Sequence, residues 1–367
     1  MTELTTTQLS ISQELELARQ EIKTDAYPIS ISEVINNFKE GEIKLDPAFQ
    51  RLFRWDDHQK TKLIESILIG IPIPEIFVAQ KPDGTWHVVD GVQRLSTIFQ
   101  LVGVLAGKEE LVMTNCKYIP SLEGKKWSDL SIITQREFRK SKLKFNIIST
   151  QSSDEAQYEL FQRLNTGGTH LEDQEVRNCL ILMLSPEFYN LINELKNYPN
   201  FKECLKLKES YFEKEFHMEL ILRMFIGYAN ITKYDEHGPL SNILLSEFLD
   251  KETINLIKNY PFEDFSDVFK RTFDKLNSCL GQETFMKYSV EKDAFYGSFN
   301  VSMFELITTG ISTNINEIQD IGNSDLVAKI KSIYSEQEAV ELLTHGTKAL
   351  KRFKGLTEFS REYFKVN

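Results

Sequence analysis

Asp90, Gly91, Gln93 and Arg94 sit in the short gap between the apolar run Trp86–Val89 and an amphipathic segment that starts at Leu95. A helix N-terminus leaves backbone N–H groups without intrahelical partners and carries about half a positive charge, so a turn feeding one is suited to an anion. Gly91 would let the backbone approach a ligand closely, and Arg94 supplies a planar fork matched to phosphate oxygens. Asp90 could hold a metal ion, orient Arg94 or act as a base. Gln93 could position a water or a base edge. The same spacing also fits a plainer arrangement, in which Asp90 caps the helix and Arg94 pairs with a surface carboxylate.

Three further clusters carry residue types able to do chemistry. Gln50, Arg51, Arg54 and Trp55 lie just before a helical pattern; two arginines beside an aromatic could grip phosphate and stack a base, or Phe49, Phe53 and Trp55 could anchor a core with the arginines facing solvent. Asn165, Thr166, Gly167 and Gly168 end one helical pattern, and the next carries Glu175, Arg177 and Asn178. Paired glycines after a helix are ordinary C-cap chemistry, but polar groups at that density in a packed region bond to one another or to a ligand. Finally, Arg136, Arg139, Lys140, Lys142 and Lys144 stand against Glu137 alone. This is the best local candidate for a DNA-binding surface, the alternative being a solvated helix face that runs into a strand.

The elements that must position these groups follow from periodicity. The stretch from Asp56 to Gly70 has Leu63, Ile64, Ile67 and Leu68 on one face, acidic residues at its start and glycine at its end, which predicts a helix. Two prolines bar a helix in the segment that follows, and Glu75–Gln80 reads as a strand. Asp83-Gly84 marks a turn, Trp86–Asp90 a returning strand, and Leu143–Ile148 a third strand. Ser152 and Glu155 form a capping box for another helix. From about Ser185 helical spacing dominates. The expected architecture is α+β: a first domain with a small sheet and helices, then an all-helical domain. The expected divisions are a polar N-terminal arm at 1–26, a phosphate-binding domain at 27–184 and a helical domain at 185–367.

Composition narrows the classes. A chain of 367 residues with 41% hydrophobic side chains can bury a sizeable core. Its net charge of −11 is spread over both halves, so any nucleic-acid contact must be local. Four cysteines without a CxxC pair point to neither a disulfide framework nor a zinc site. No apolar run reaches the roughly 20 residues a membrane span needs, and no basic segment precedes an apolar stretch at the N-terminus, so a cytoplasmic location is expected.

Four ordered motifs, from FQRLFRW through LIESILIGIPIPEIFV and VVDGVQRLSTI to FQRLNTGGTHLEDQEVRN, resemble the N-terminal domain family of GmrSD-type restriction endonucleases, within the ParB/sulfiredoxin-like superfamily. The family's Asp-Gly-Gln-Gln-Arg signature falls on Asp90, Gly91, Val92, Gln93 and Arg94, with Val92 departing from it. Its Gln-Arg before an aromatic and a tryptophan falls on Gln50, Arg51, Phe53 and Trp55, and its Asn-Thr-Gly-Gly loop on Asn165 to Gly168. The resemblance implies binding and hydrolysis of a nucleoside triphosphate in a system that attacks foreign or modified DNA. Asp90, Gln93 and Arg94 would be catalytic, Asp90 a ligand of Mg²⁺, and Gln50, Arg51, Arg54, Gly91, Asn165, Thr166, Gly167, Gly168 and Arg177 would line the nucleotide. Many members carry an HNH nuclease domain; the six scattered histidines here show no such pattern, so a separate nuclease partner is expected. Two alternatives use the same pocket: a DNA- or partner-binding module without hydrolysis, and a ParB-like nuclease.

Overall fold

The computed structural model describes residues 24–45, 55–148, 173–230, 243–343 and 348–366. The chain divides into two compact units, 1–171 and 172–367. In the first, strand β1 (Thr24–Ser30) leads into helix α1 (Ile31–Lys39) and the two-residue strand β2 (Ile43–Lys44). Helix α2 (Asp57–Ile69), strands β3 (Ile76–Gln80) and β4 (Trp86–Asp90), and helix α3 (Val92–Leu101) follow, and α4 (Ile132–Lys140) runs into β5 (Lys142–Ile148).

The five strands form one mixed sheet in the order β1-β5-β3-β4-β2. β3 lies parallel to β5 and antiparallel to β4, so the start of β3 sits beside the end of β4. The apolar alternation on these strands buries Ile76, Val78, Val88 and Phe145, and Leu95, Ile98 and Phe99 of α3 complete the core. Phe38 of α1 stacks on Phe99 with ring centroids 4.0 Å apart.

α2 has the ends its sequence predicts. Asp56 and Gln59 form a reciprocal capping box, and Gly70 closes the helix at φ 85°, a left-handed conformation that favours glycine. Its buried face also carries a carboxylate: Glu65 accepts the backbone N–H groups of Lys117 (3.2 Å), Tyr118 (2.8 Å) and Ile119 (2.8 Å), and so straps the 117–119 loop to the helix. Burial alone would raise the Glu65 carboxyl, but those three donors outweigh it and hold it below the ordinary glutamate value.

Two elements differ from expectation. The polar stretch expected as an arm up to residue 26 is already strand from Thr24, paired antiparallel with β5 from Thr24↔Ile148 to Ser30↔Lys142. β1 is an edge strand with residues 25–28 exposed, so it lacks an apolar alternation, and Pro28 is tolerated at an edge. The second unit is mostly helical rather than all-helical. Its helices are α5 (Asp173–Leu184), α6 (Pro186–Leu195), α7 (Pro199–Leu205), α8 (Glu209–Glu213), α9 (Phe216–Tyr228), α10 (Leu245–Asn259) and α11 (Glu263–Cys279), followed by a hairpin of β6 (Lys287–Ser289) and β7 (Ala294–Tyr296). Helices α12 (Val301–Thr313), α13 (Ile315–Ile318), α14 (Asn323–Ser332), α15 (Gln337–Leu343) and α16 (Ala349–Tyr363) complete it. Strands of three residues are too short to show a period of two, which is why the hairpin escapes a sequence reading. The core of this unit is aromatic: Phe201 meets Phe269 and Phe273 edge-to-face at 5.1 and 4.8 Å, and Phe269 and Phe273 lie tilted against each other at 4.6 Å.

Candidate functional site

The turn between β4 and α3 forms the candidate site. A register shift between Phe77 and Val78 leaves Phe77 opposite Asp90 and Val78 opposite Val88, so β4 bulges just before its last residue. Bulges of this kind re-aim side chains at strand ends. Gly91 follows at φ 97° and is packed so closely against Ile76 that a Cβ would collide with that side chain. The conformation therefore requires glycine, and a side chain there would also push the end of the buried Ile76 side chain aside. Gly91 occupies the N-cap position, no side chain caps the helix, and no acidic residue lies in its first turn. The first N–H groups of α3 thus keep their donor capacity and the positive end of the helix is uncompensated.

Arg94 does not stand open to solvent as a free fork. It is 9% exposed; its Nη1 donates to the carbonyls of Pro74 (2.5 Å) and Glu75 (2.9 Å), and its Nη2 donates to Asp90 Oδ2 (2.8 Å). The guanidinium therefore ties the loop that enters β3 to the end of β4. The Asp90 side chain remains 43% exposed. Gln93 reaches back to an earlier motif, its Oε1 accepting the backbone N–H of Trp55 at 3.1 Å. Two residues the sequence reading passed over complete this end of the sheet. Glu75 accepts from Lys144 Nζ at 2.5 Å and from the Asn146 amide. Those bonds, Lys144 first, hold the Glu75 carboxyl below its ordinary value. The parallel register of β3 and β5 brings Glu75 and Asn146 together; no local spacing signals it.

The remaining candidates are placed as follows. Gln50, Arg51 and Arg54, and Asn165, Thr166, Gly167 and Gly168, lie outside the described residues. So do Ser152 and Glu155 of the expected capping box. Arg177, on α5, is buried in the second unit. Its Nε donates to Asp250 (2.7 Å) and its Nη1 to Gln174 (2.5 Å) and Glu219 (3.4 Å). Glu219 in turn accepts from Arg223, which also pairs with Glu305. With its side chain fully buried among these acceptors, Arg177 has the surroundings of a structural cation rather than a phosphate ligand. Arg136, Arg139, Lys140 and Lys142 are all exposed on α4 and the start of β5. The Arg139 guanidinium lies 5.5 Å from the Trp127 ring centre.

Asp90 is a single carboxylate, and among the described residues no group of three or more His, Cys, Asp or Glu side chains could hold a metal. That donor set fits Mg²⁺ only in the manner of nucleotide sites, where one or two carboxylates share the ion with water and phosphate oxygens.

An α+β domain with a bulged strand, a left-handed glycine and an uncapped helix thus presents a strand-to-helix turn at the end of the sheet. Residues 31–182 match the family described as "GmrSD restriction endonuclease, N-terminal domain". No curated protein matches the chain. Among solved structures it is similar to a Pnob8-like ParB-N domain, at 13% identity over 88% of this chain and 97% of that one, with a TM-score of 0.26 that carries no weight for fold or function. None of the described helices is long and apolar enough to cross a membrane.

Proposed function

We propose that the first unit binds a nucleoside triphosphate at the Asp90–Arg94 turn and hydrolyses it as part of a restriction-type system that acts on, or is regulated by, DNA. The observation that supports this reading most is the uncapped N-terminus of α3, entered through a left-handed glycine and flanked by an exposed carboxylate and a fixed guanidinium. Phosphoryl transfer needs positioning and charge stabilisation more than covalent chemistry. The N–H groups at the start of α3 would hold phosphate oxygens. Arg94, immobilised by three acceptors, would add positive charge beside them rather than an open fork. Asp90 would orient a nucleotide-borne Mg²⁺, which would supply charge neutralisation, and Gln93 would fix the Trp55 segment over the turn. Cutting of DNA would fall to a separate nuclease subunit.

Phosphate release from MgATP and MgGTP, compared between wild type and the near-isosteric Asp90→Asn, tests this. Loss of turnover in the variant, with a stability loss of no more than about 1 kcal/mol from the Asp90–Arg94 pair, is expected; equal turnover in both, or no nucleotide binding by the wild type, would overturn it. The exposed Arg136, Arg139, Lys140 and Lys142 favour a second reading, in which the domain holds DNA without hydrolysis. DNA binding with no phosphate release would select that reading, and plasmid cleavage by the chain alone would select the nuclease one.

A further inference from the structure

At the opposite end of β4 lies a cavity of about 370 Å³, lined by Asn37, Glu42, Gln80, Asp83, Thr85 and Trp86 among others. Four strand steps of roughly 3.3 Å separate Trp86 from Asp90, about 13 Å along β4, so this is not the phosphate turn. The cavity is built by the fold: Gln80 and Trp86 are partners in the β3–β4 register, and the Trp86 N–H donates to the Glu42 carbonyl at 2.7 Å. The indole is held in place by Tyr27, edge-on at 6.0 Å, and by Phe145 at 5.9 Å.

The lining has a definite chemistry. It pairs one large aromatic with two primary amides, Asn37 and Gln80, and two carboxylates, Glu42 and Asp83, and it includes no basic side chain. Such a set suits a flat ring that carries amino donors. The Asp83 carboxylate is fixed in place, its Oδ1 accepting both the N–H (3.0 Å) and the hydroxyl (2.7 Å) of Thr85, and its second oxygen is left as an acceptor. Carboxylates accept the exocyclic amino group of cytosine, and Asn or Gln amides form paired bonds with adenine. Indole faces stack bases regardless of their sequence. The volume lies within the range of small-molecule sites, roughly 300–1,000 Å³.

We propose that this cavity is a second site that binds an amino-bearing nucleobase, cytosine or adenine, stacked on Trp86 with its amino group on Glu42 or Asp83. The ring could arrive as a free nucleoside or as an unstacked base of a DNA strand. Both present the same amino edge, and the test separates them.

Calorimetric titration of the full chain with nucleosides, which lack phosphate, keeps the Asp90 turn out of the measurement. Cytidine and adenosine are expected to bind, with uridine and inosine about tenfold weaker, as loss of one hydrogen bond to a charged acceptor implies. Oligonucleotides of deoxycytidine and of thymidine form the second arm; a cytosine preference there without nucleoside binding would assign the site to a strand base. Replacing both carboxylates, Glu42→Gln with Asp83→Asn, should erase the preference for the amino form, and Trp86→Ala should weaken binding about tenfold. Since Trp86 also packs against Tyr27 and Phe145, the carboxylate variant carries the decision: both of its positions are exposed. Absence of binding in both arms, equal affinity for amino and oxo bases, or a preference that survives the carboxylate variant would overturn the proposal.

Discussion

Replacing Arg94 by alanine separates a bracing role from a ligand-facing one. In the structure Arg94 donates to the carbonyls of Pro74 and Glu75 and to Asp90. Hydrogen bonds that involve a charged group are worth roughly 1.5–3 kcal/mol net. Pro74 is exposed and Glu75 half-buried, so water recovers part of each loss and the low end applies, about 1.5 kcal/mol per carbonyl. The ion pair with Asp90, whose side chain is 43% exposed, adds at most about 1 kcal/mol. Arg94→Ala should therefore destabilise the first unit by about 3–4 kcal/mol, which lowers its melting temperature by roughly 6–15 °C. Arg94→Lys keeps the charge but not the fork and should fall about midway. Differential scanning calorimetry reads the shift, and phosphate release measured well below the lowered transition reads the function. A variant that melts with the wild type would refute the bracing argument; if it had also lost turnover, Arg94 would belong to the ligand.

Three further outcomes are expected. Gly91→Ala should cost about 2–4 kcal/mol in urea unfolding, since alanine at φ 97° is strained and its methyl group meets Ile76; a loss under about 0.5 kcal/mol would show that the turn yields. Because the folded Glu65 carboxyl lies below its ordinary value, its contribution to stability is present at neutral pH and is lost as pH falls through that lowered value; the stability difference between wild type and Glu65→Gln should shrink from pH 7 toward pH 3, and a constant difference would contradict the strap. Charge reversal at Arg139, Lys140 and Lys142 should weaken DNA binding and flatten its dependence on salt, whereas an unchanged slope in a salt titration would mark these side chains as a solvated face.

Much of the local structure is written in the chain. Asp56, Gln59 and Gly70 mark both ends of α2 because capping is a contact within a few residues, and the Trp86–Asp90 strand, glycine turn and following helix are readable for the same reason. The ordered motifs carry the family as well. The pairing of Arg94 with Asp90 four residues before it was among the readings of the sequence, but its other acceptors were not: Pro74 and Glu75 lie twenty and nineteen residues away and meet it only because β3 and β4 run antiparallel. Glu75 meets Asn146 across the parallel β3–β5 pair, Arg177 meets Asp250 inside the helical unit, and β1 exists as a strand only through the backbone of β5. Capping and periodicity are short-range and leave a pattern in neighbouring residues. A hydrogen bond across a sheet or between packed helices leaves none, because its geometry is set by register and packing that no single segment contains.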